Sequence, residues 1–337
     1  MDNRTNEPNL NQLAESVLAE YGLAAERLNV IQNKGLKTLW KVSHKDRTLC
    51  LKRLKHEKEK AIFSVYAQVY IYEKGGNVPR VIRNIKGEPI TEHEGQLFVL
   101  YEWIDGKDLD FESPGDLCKG VKGLSAFHKV SKGFQPPQGA RESSKLGKWP
   151  KQYESMRKKM LEWKEEASRK SGQTGHRAYL KYADSMIKIA DAAIDAIKHS
   201  AYNSMSMVDI NQIPLCHQDY GRGNALLVGQ NVYVLDLDGV TYDFSVRDLR
   251  KIIGKKMIKS GGWDKDKISD ILECYKSCNE LSFDELELLK IDLLFPHWFF
   301  GEVKNIFQKN KPVKDVEVEK AARLEESKIP VIERLGG

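Results

Sequence analysis

Residues 217–224 read HQDYGRGN, and residues 231–240 read NVYVLDLDGV. The first stretch is mostly charged, polar or glycine, and the second is an apolar run closed by two carboxylates. Asp219 and Asn224 lie five apart in a glycine-rich loop. Phosphoryl transfer needs a carboxylate near the attacking hydroxyl and an amide oxygen on magnesium, and a loop of this kind supplies both. Asp, Gly and Asn are also the ordinary turn residues, so the loop alone is equally a plain turn. The apolar strand ending in Asp236 and Asp238 delivers carboxylates from a rigid support, and magnesium favours one or two carboxylates plus substrate phosphates. Only a hairpin separates the two stretches, so Asn224 and Asp236 can share one ion. The alternative for the second stretch is a strand ending in a solvated acidic turn.

Working outward, the chain of 337 residues is too long for one hydrophobic core, and two lobes are expected. Charged residues make up 30% and apolar residues 41%, an ordinary globular mixture. The net charge of +6, from 54 basic and 48 acidic residues, suits a binder of anionic small molecules and is no argument for nucleic acid. The stretch RKKMLEWKEEASRK (157–170) interleaves its charges as a solvated helix face does. No run of about 18 apolar residues occurs, so no membrane span is expected. The polar start MDNRTNEPNLNQ is no signal peptide. The five cysteines include no C-x-x-C pair and are expected to be reduced cytosolic thiols.

The first fifteen or so residues read as frayed, followed by a short helix, LAESVLAEYG (13–22). LNVIQNKGLKTLWKVSHKDRTLCLKRLK (28–55) alternates and is broken at Gly35 and at HKDR, which predicts three strands. A helix is expected over 58–74 with Ile62, Val65, Val69 and Tyr72 buried, then strands at VPRVIRNI, EPITEH and QLFVLYEW. Beyond residue 103 the pattern turns helical, with segments at 117–130, 149–170 and 182–200, a hairpin over 225–238, and more helix after Asp248. The expected class is α+β, with a β-rich lobe over 1–103 holding a nucleotide and a helical lobe over 104–337 holding the catalytic loop and acceptor pocket.

HQDYGRGN, VLDLDGV and then FSVRDLRKI (244–252) together resemble the aminoglycoside phosphotransferase and choline kinase-like superfamily, whose members carry a His-x-Asp-x-x-x-x-Asn loop, a strand ending in a metal-binding Asp, and a later Asp-Leu on a helix. The resemblance implies a bilobal protein-kinase-like fold working with ATP and Mg2+. It makes Asp219 the catalytic base or hydroxyl-orienting acid, Asn224 and Asp236 the metal ligands, and His217 and Asp248 braces of the loop. His128, in AFHKV, matches a helical histidine of these families and is equally a satisfied core residue. Lys52, on LCLKRLK, stands where phosphate-binding lysines stand. FVLYEWIDGKDL resembles the connection whose backbone, at Glu102 and Trp103, meets adenine. The hairpin QNKGLKTLWKV sits where a phosphate-covering loop belongs, with Gly35 and Thr38 toward phosphate. One departure is the helix after Lys52, which has no acid between residues 60 and 72: Glu57 or Glu59 pairs with Lys52 from the first turn, or the ion pair is missing.

Only residues 237–247 separate Asp236 from Asp248, which leaves no room for a peptide-docking loop and favours a small-molecule acceptor. The resemblance implies an acceptor pocket against the helical lobe, along 149–163 and 293–303, with His297 and Trp298 toward a sugar or polyol hydroxyl and Phe295, Phe299 and Phe300 in the core. The wider texture, LCLKRLK, VYAQVYIYEKG, VPRVI and LFVLYEWIDG, resembles the CotS-related spore coat proteins of endospore-forming bacteria. That implies synthesis in the mother-cell cytoplasm, deposition on the spore coat and other coat proteins as partners. Two functions follow: an ATP- and magnesium-dependent phosphotransferase, or a coat scaffold that keeps a kinase fold without turnover.

Overall fold

The computed structural model describes residues 7–35 and 37–335. Contacts divide the chain into two compact units, the first of 1–110, 123–144 and 217–241, the second of 111–122, 145–216 and 242–337.

The first unit is built on a six-stranded antiparallel sheet. β1 (Arg27–Lys34), β2 (Lys37–His44) and β3 (Arg47–Leu54) follow one another, as the alternating pattern predicts. β4 (Val81–Ile82), β5 (Thr91–His93) and β6 (Gln96–Glu102) complete it, in the order β1-β2-β3-β6-β4 with β5 on β6. Successive side chains on a strand face opposite ways, and both faces are used. Trp40, Val42, Leu49, Leu51, Phe98 and Leu100 pack with Ala14, Val17 and Leu18 of α1 (Glu7–Ala19) and with Tyr21 just after it. Leu54, Leu97, Val99 and Tyr101 form the other face, with Ala61 and Val65 of α2 (Lys58–Glu73). The 14/17/18 stripe explains why α1 is a stable helix: it begins at Glu7, inside the stretch expected to be frayed, whose residues 1–6 lie outside the described ones. On α2 the buried positions are Ala61, Phe63, Ser64, Val65, Ala67, Gln68 and Ile71; Val65 is buried as expected and Val69 is half-buried, but Tyr72 is exposed.

A three-stranded antiparallel sheet, in the order β10-β9-β7, follows from β7 (Lys107–Asp108), β9 (Ala225–Val228) and β10 (Asn231–Val234). Gly123, on α3 (Pro114–Ser131), passes so close to β10 that a Cβ there would lie 2.6 Å from Val232.

The second unit is mostly helical: α4 (Trp149–Arg169), α5 (His176–His199), α6 (Tyr202–Met205), the short β8 (Leu215–Cys216), and, after β11 (Thr241–Tyr242), α7 (Val246–Lys259), α8 (Lys265–Lys276), α9 (Phe283–Leu294), α10 (His297–Phe307), α11 (Asp315–Ser327) and α12 (Ile329–Ile332). Ile187, Ala190, Ile194 and Ile197 of α5 are buried in one stripe, as the period of 3.6 predicts. Trp149, Tyr153, Met160 and Trp163 of α4 are buried core residues. One expectation about the cysteines fails: Cys118 and Cys274 form a disulfide, while Cys50, Cys216 and Cys278 are free. Their sequence separation of 156 hides the pairing, because no local spacing announces it. No helix among the described residues is long and apolar enough to cross a membrane.

Candidate active site

Lys52 is decided by strand parity. Cys50, Lys52 and Leu54 share the face of β3 that carries Val99 and Tyr101 of β6. Across the hairpin Leu39 is opposite Lys52, so Lys37 and Leu39 share this face while Thr38, Trp40 and Val42 take the other. Lys37 and Lys52 therefore reach the same side. Their targets come from the turn after β10. Leu235 donates its amide to Asn224 O (3.0 Å), and His217 Nε2 bonds Leu235 O (2.7 Å). Asp236 then takes a left-handed conformation (φ 59°, ψ 63°), and Leu237–Gly239 form a 3-10 turn. Non-glycine residues at positive φ are uncommon and cluster at functional sites. Here the bend presents Asp236 and Asp238 together.

The result is a four-charge cluster. Lys52 Nζ lies 2.7 Å from both Asp236 Oδ1 and Asp238 Oδ1. Lys37 Nζ lies 2.8 Å from Asp236 Oδ2 and 3.7 Å from Asp238 Oδ2. Lys52 is only 4% exposed. Burial works against its ammonium, but Asp238 and Asp236 outweigh it and hold the pKa above the ordinary lysine value. Burial likewise works against the Asp236 carboxylate, and Lys52 and Lys37 overcome it, holding the group well below the usual carboxylate range. Both acids that meet Lys52 thus come from the turn after β10. Glu57 is paired instead with Arg141 (3.0 Å), and α2 offers the cavity Gln68, whose amide donates to Pro79 O (2.7 Å).

The cluster lines a cavity of about 310 Å3 in the first unit. Ile31, Leu39, Leu226 and Leu235 form apolar walls, and Asn224 and Asp236 stand at the charged end. Glu102 and Trp103 also line it. Their amides donate to Arg80 O (2.9 Å) and Thr48 O (3.1 Å), and the Trp103 ring lies 4.4 Å from the Lys41 ammonium. Cys50, on the wall, has its thiol pushed up to about 11 by burial and stays neutral.

The loop carrying Asp219 is held from within. The Asp219 amide donates to His217 Nδ1 (3.3 Å), which fixes the histidine as the tautomer protonated on Nε2, and Asn224 Nδ2 donates to Asp219 O (2.9 Å). His217 is buried between Phe127 and Tyr220, and Asp219 is exposed. His217 thus ties the loop backbone at Asp219 to that of Leu235. Gly35 forms the β1–β2 turn at φ 61°, its carbonyl accepting from Arg53 (3.1 Å). Neither Gly35 nor Thr38 lines the cavity. Thr38 is fully buried on the opposite sheet face, where its hydroxyl donates to Asn33 (3.3 Å). The side chain that the hairpin does send to the cluster is Lys37, which sequence reading missed because a lysine in an alternating strand is usually solvent-facing.

In the second unit, Asp248 is buried in the first turn of α7. His297 and Trp298 begin α10, directly after the break at Pro296. His297 Nε2 lies 2.8 Å from Asp292, a buried carboxylate that also meets Tyr153 (2.5 Å), Arg247 (2.9 Å) and Arg250 (3.1 Å). Burial holds His297 down at about 3, so it is neutral and donates to Asp292. The Trp298 and Phe299 amides donate to Glu325 (2.7 and 3.0 Å). Phe295, Phe299 and Phe300 are core, as expected, with Phe295 stacked on Tyr153 at 4.4 Å.

Among solved structures, an aminoglycoside phosphotransferase from Alicyclobacillus acidocaldarius is similar over 95% of this chain and 96% of its own, with a TM-score of 0.75 at 16% identity. A spectinomycin phosphotransferase, APH(9)-Ia, solved with ADP and spectinomycin, is similar over 96% of both chains, with a TM-score of 0.58 at 15% identity. The fold is thus the protein-kinase-like phosphotransferase fold. Spore coat protein S of Bacillus subtilis (strain 168) is 25% identical over 300 residues, covering 89% of this chain and 86% of that protein. The family described as "Spore coat putative kinase YutH" matches residues 14–327, and the chain belongs to it.

Proposed function

We propose that this protein is a spore-coat-associated phosphotransferase that moves the γ-phosphoryl group of ATP, with magnesium, to a hydroxyl of a small sugar-like acceptor. The observation that carries the reading is the cluster of Lys52, Lys37, Asp236 and Asp238 in an apolar-walled cavity beside Asn224. Unliganded carboxylates repel one another at a cost. Here two lysines neutralise them, which is the arrangement expected where a cation and a polyphosphate later divide the same charges. The donor set fits magnesium: the Asp236 carboxylate and the Asn224 amide oxygen would hold it, with Asp238 beside them. Bound there, the ion would neutralise charge on the transferring phosphate.

The chain's own residues do the rest. Lys52 and Lys37, released from the acids, meet the phosphates. The walls of Ile31, Leu39, Leu226 and Leu235 take the base and exclude water. Because the Glu102 and Trp103 amides are already engaged, a purine edge would be met by their carbonyls or by the next amide. Asp219 accepts or orients the acceptor's hydroxyl proton, from a backbone fixed by His217 and Asn224. Asp248 supports α7.

The family and its spore coat relative support deposition on the coat after synthesis in the mother cell, with other coat proteins as partners. An ADP-release screen over sugars, sugar acids, polyols, aminoglycosides and amino alcohols tests the activity. A positioned base is worth about 10²–10⁴ in rate, so Asp219→Asn should retain ATP affinity within a few-fold and lose nearly all turnover. ATP binding without turnover on any acceptor would favour the coat-scaffold reading instead.

A further inference from the structure

A buried ammonium needs an acid held beside it, because a buried charge left unpaired is strongly destabilising. Lys52, 4% exposed, is such a group. The neighbouring helix α2 offers it no acid. Positions 60–72 carry none. Glu57, just ahead of the helix, is paired with Arg141, and Glu73, at its end, lies 3.9 Å from Arg83. Glu59 is exposed in the first turn. The acids come instead from Asp236 and from the 3-10 turn at 237–239, which packs directly against α2. The two acids are not equivalent. Both put Oδ1 2.7 Å from Lys52 Nζ. Asp236 lines the first unit's cavity together with Asn224, and its side chain is 35% exposed. Asp238 does not line the cavity, and its side chain is 17% exposed. One carboxylate thus faces the ligand space, and the other lies off it with both oxygens toward lysines, the second 3.7 Å from Lys37.

From this division we infer that Asp238 is the positioning residue for Lys52: it holds the ammonium in place when Asp236 turns to a divalent cation, and it is not itself a ligand of that cation. The inference rests on the reading that Asp236 and Asn224 hold magnesium for ATP. In the unliganded protein Lys52 shares Asp236 with Lys37. Once Asp236 is given over to the cation, Lys52 keeps Asp238 alone, at 2.7 Å. No residue of α2 can stand in, because the helix side chain that reaches the cavity is Gln68, whose amide is spent on Pro79 O. Asp238 therefore acts through Lys52 and touches neither phosphate nor metal. It also follows that one short segment, Asp236–Asp238, sets both the metal-binding carboxylate and the phosphate-binding lysine. Nucleotide affinity then does not depend on any acid of α2.

The test measures ATP affinity by calorimetry on the full chain, in magnesium and in EDTA, for wild type, Asp238→Asn, Asp236→Asn and Lys52→Met. Asp238→Asn should fold, because unliganded Lys52 keeps Asp236 at 2.7 Å, and its melting temperature checks this. In that variant Lys52 and the cation compete for Asp236, so ATP should bind about tenfold more weakly in magnesium and within about threefold of wild type in EDTA. Magnesium should still raise its affinity for ATP, whereas Asp236→Asn should erase that gain. Adding Asp238→Asn to Lys52→Met separates the two roles. A residue that acts through Lys52 has nothing left to lose there, and affinity in magnesium should change by less than about threefold. A full loss in that background, or Asp238→Asn alone matching Asp236→Asn, makes Asp238 a cation ligand and overturns the inference. If Lys52→Met does not fold, the two single aspartate variants decide, together with the pair Glu57→Gln and Glu59→Gln. Unchanged affinity in that pair supports the assignment, and a loss of about tenfold returns the anchor of Lys52 to α2 and overturns it. These outcomes all presuppose a wild type that binds ATP more tightly in magnesium than in EDTA. Equal wild-type affinity in the two overturns the phosphotransferase reading, and the inference with it.

Discussion

Replacing Asp236 by Asn tests the charge cluster most directly. The side chain contributes two contacts, at 2.7 Å to Lys52 and 2.8 Å to Lys37. Each is worth about 6 kcal/mol gross at an effective dielectric of about 20. The net value is far smaller, because both partners regain solvation or keep another acid. Lys52 retains Asp238 at 2.7 Å, Lys37 retains it at 3.7 Å, and the Asp236 side chain is 35% exposed, so water screens the loss. The cluster passes from neutral to one excess positive charge, and the expected cost to the unliganded protein is about 1–2 kcal/mol. Asn is the right replacement because Asp236 sits at φ 59°, ψ 63°, a conformation Asn tolerates and in which Ala would add about 1–2 kcal/mol of unrelated strain. In wild type, ATP at a hundredfold excess over Kd should stabilise by about 2.7 kcal/mol with magnesium present, a shift of roughly 4 °C for a chain of this length. Thermal shift measured with ATP, in magnesium and in EDTA, on both proteins, separates the effects. Asp236→Asn should melt a few degrees lower when unliganded and lose the magnesium-dependent part of the shift. An equal shift in EDTA for wild type, or a retained magnesium-dependent shift in the variant, would refute the shared-ion reasoning.

Lys37→Met removes one of the two cations competing for the acids. It should tighten binding of magnesium alone while weakening ATP about tenfold, as read by calorimetry, and opposite changes would remove Lys37 from the site. His297 has a folded pKa of about 3 against an ordinary 6.5, so the unfolded chain takes up its proton first. The stability it contributes is complete above pH 6.5 and is lost as pH falls from there toward 3, about 2 kcal/mol of it between pH 7 and 5; this is an upper bound because the side chain is 16% exposed. His297→Asn should flatten the dependence of Tm on pH over that interval, and an unchanged slope would show that other groups carry it. Reducing the Cys118–Cys274 disulfide opens a long cross-link and should cost about 2–4 kcal/mol, lowering Tm without altering the response to ATP and magnesium. A lost response would tie the disulfide to the first unit's cavity.

Local pattern carried much of this protein. The alternation over residues 28–55 gives β1 to β3, and the stripe at 187/190/194/197 gives the buried face of α5. HQDYGRGN and NVYVLDLDGV mark the loop and the acid-bearing turn because each group of residues is contiguous and the two are only a hairpin apart. Where the outcome depended on residues distant in sequence, tertiary structure decided. The partners of Lys52 lie 184 and 186 residues away, so no spacing along α2 could reveal that the acids come from Asp236 and Asp238. Thr38 and Lys37 are neighbours in a polar hairpin, and only the register of β2 against β3, with Leu39 opposite Lys52, sends the lysine to the cluster and the threonine into the core. The same holds for Cys118 and Cys274. Hydrophobic periodicity repeats within a few residues and is written locally. Charge neutralisation and cavity lining are sums over side chains that only the folded chain brings within a few ångströms of one another.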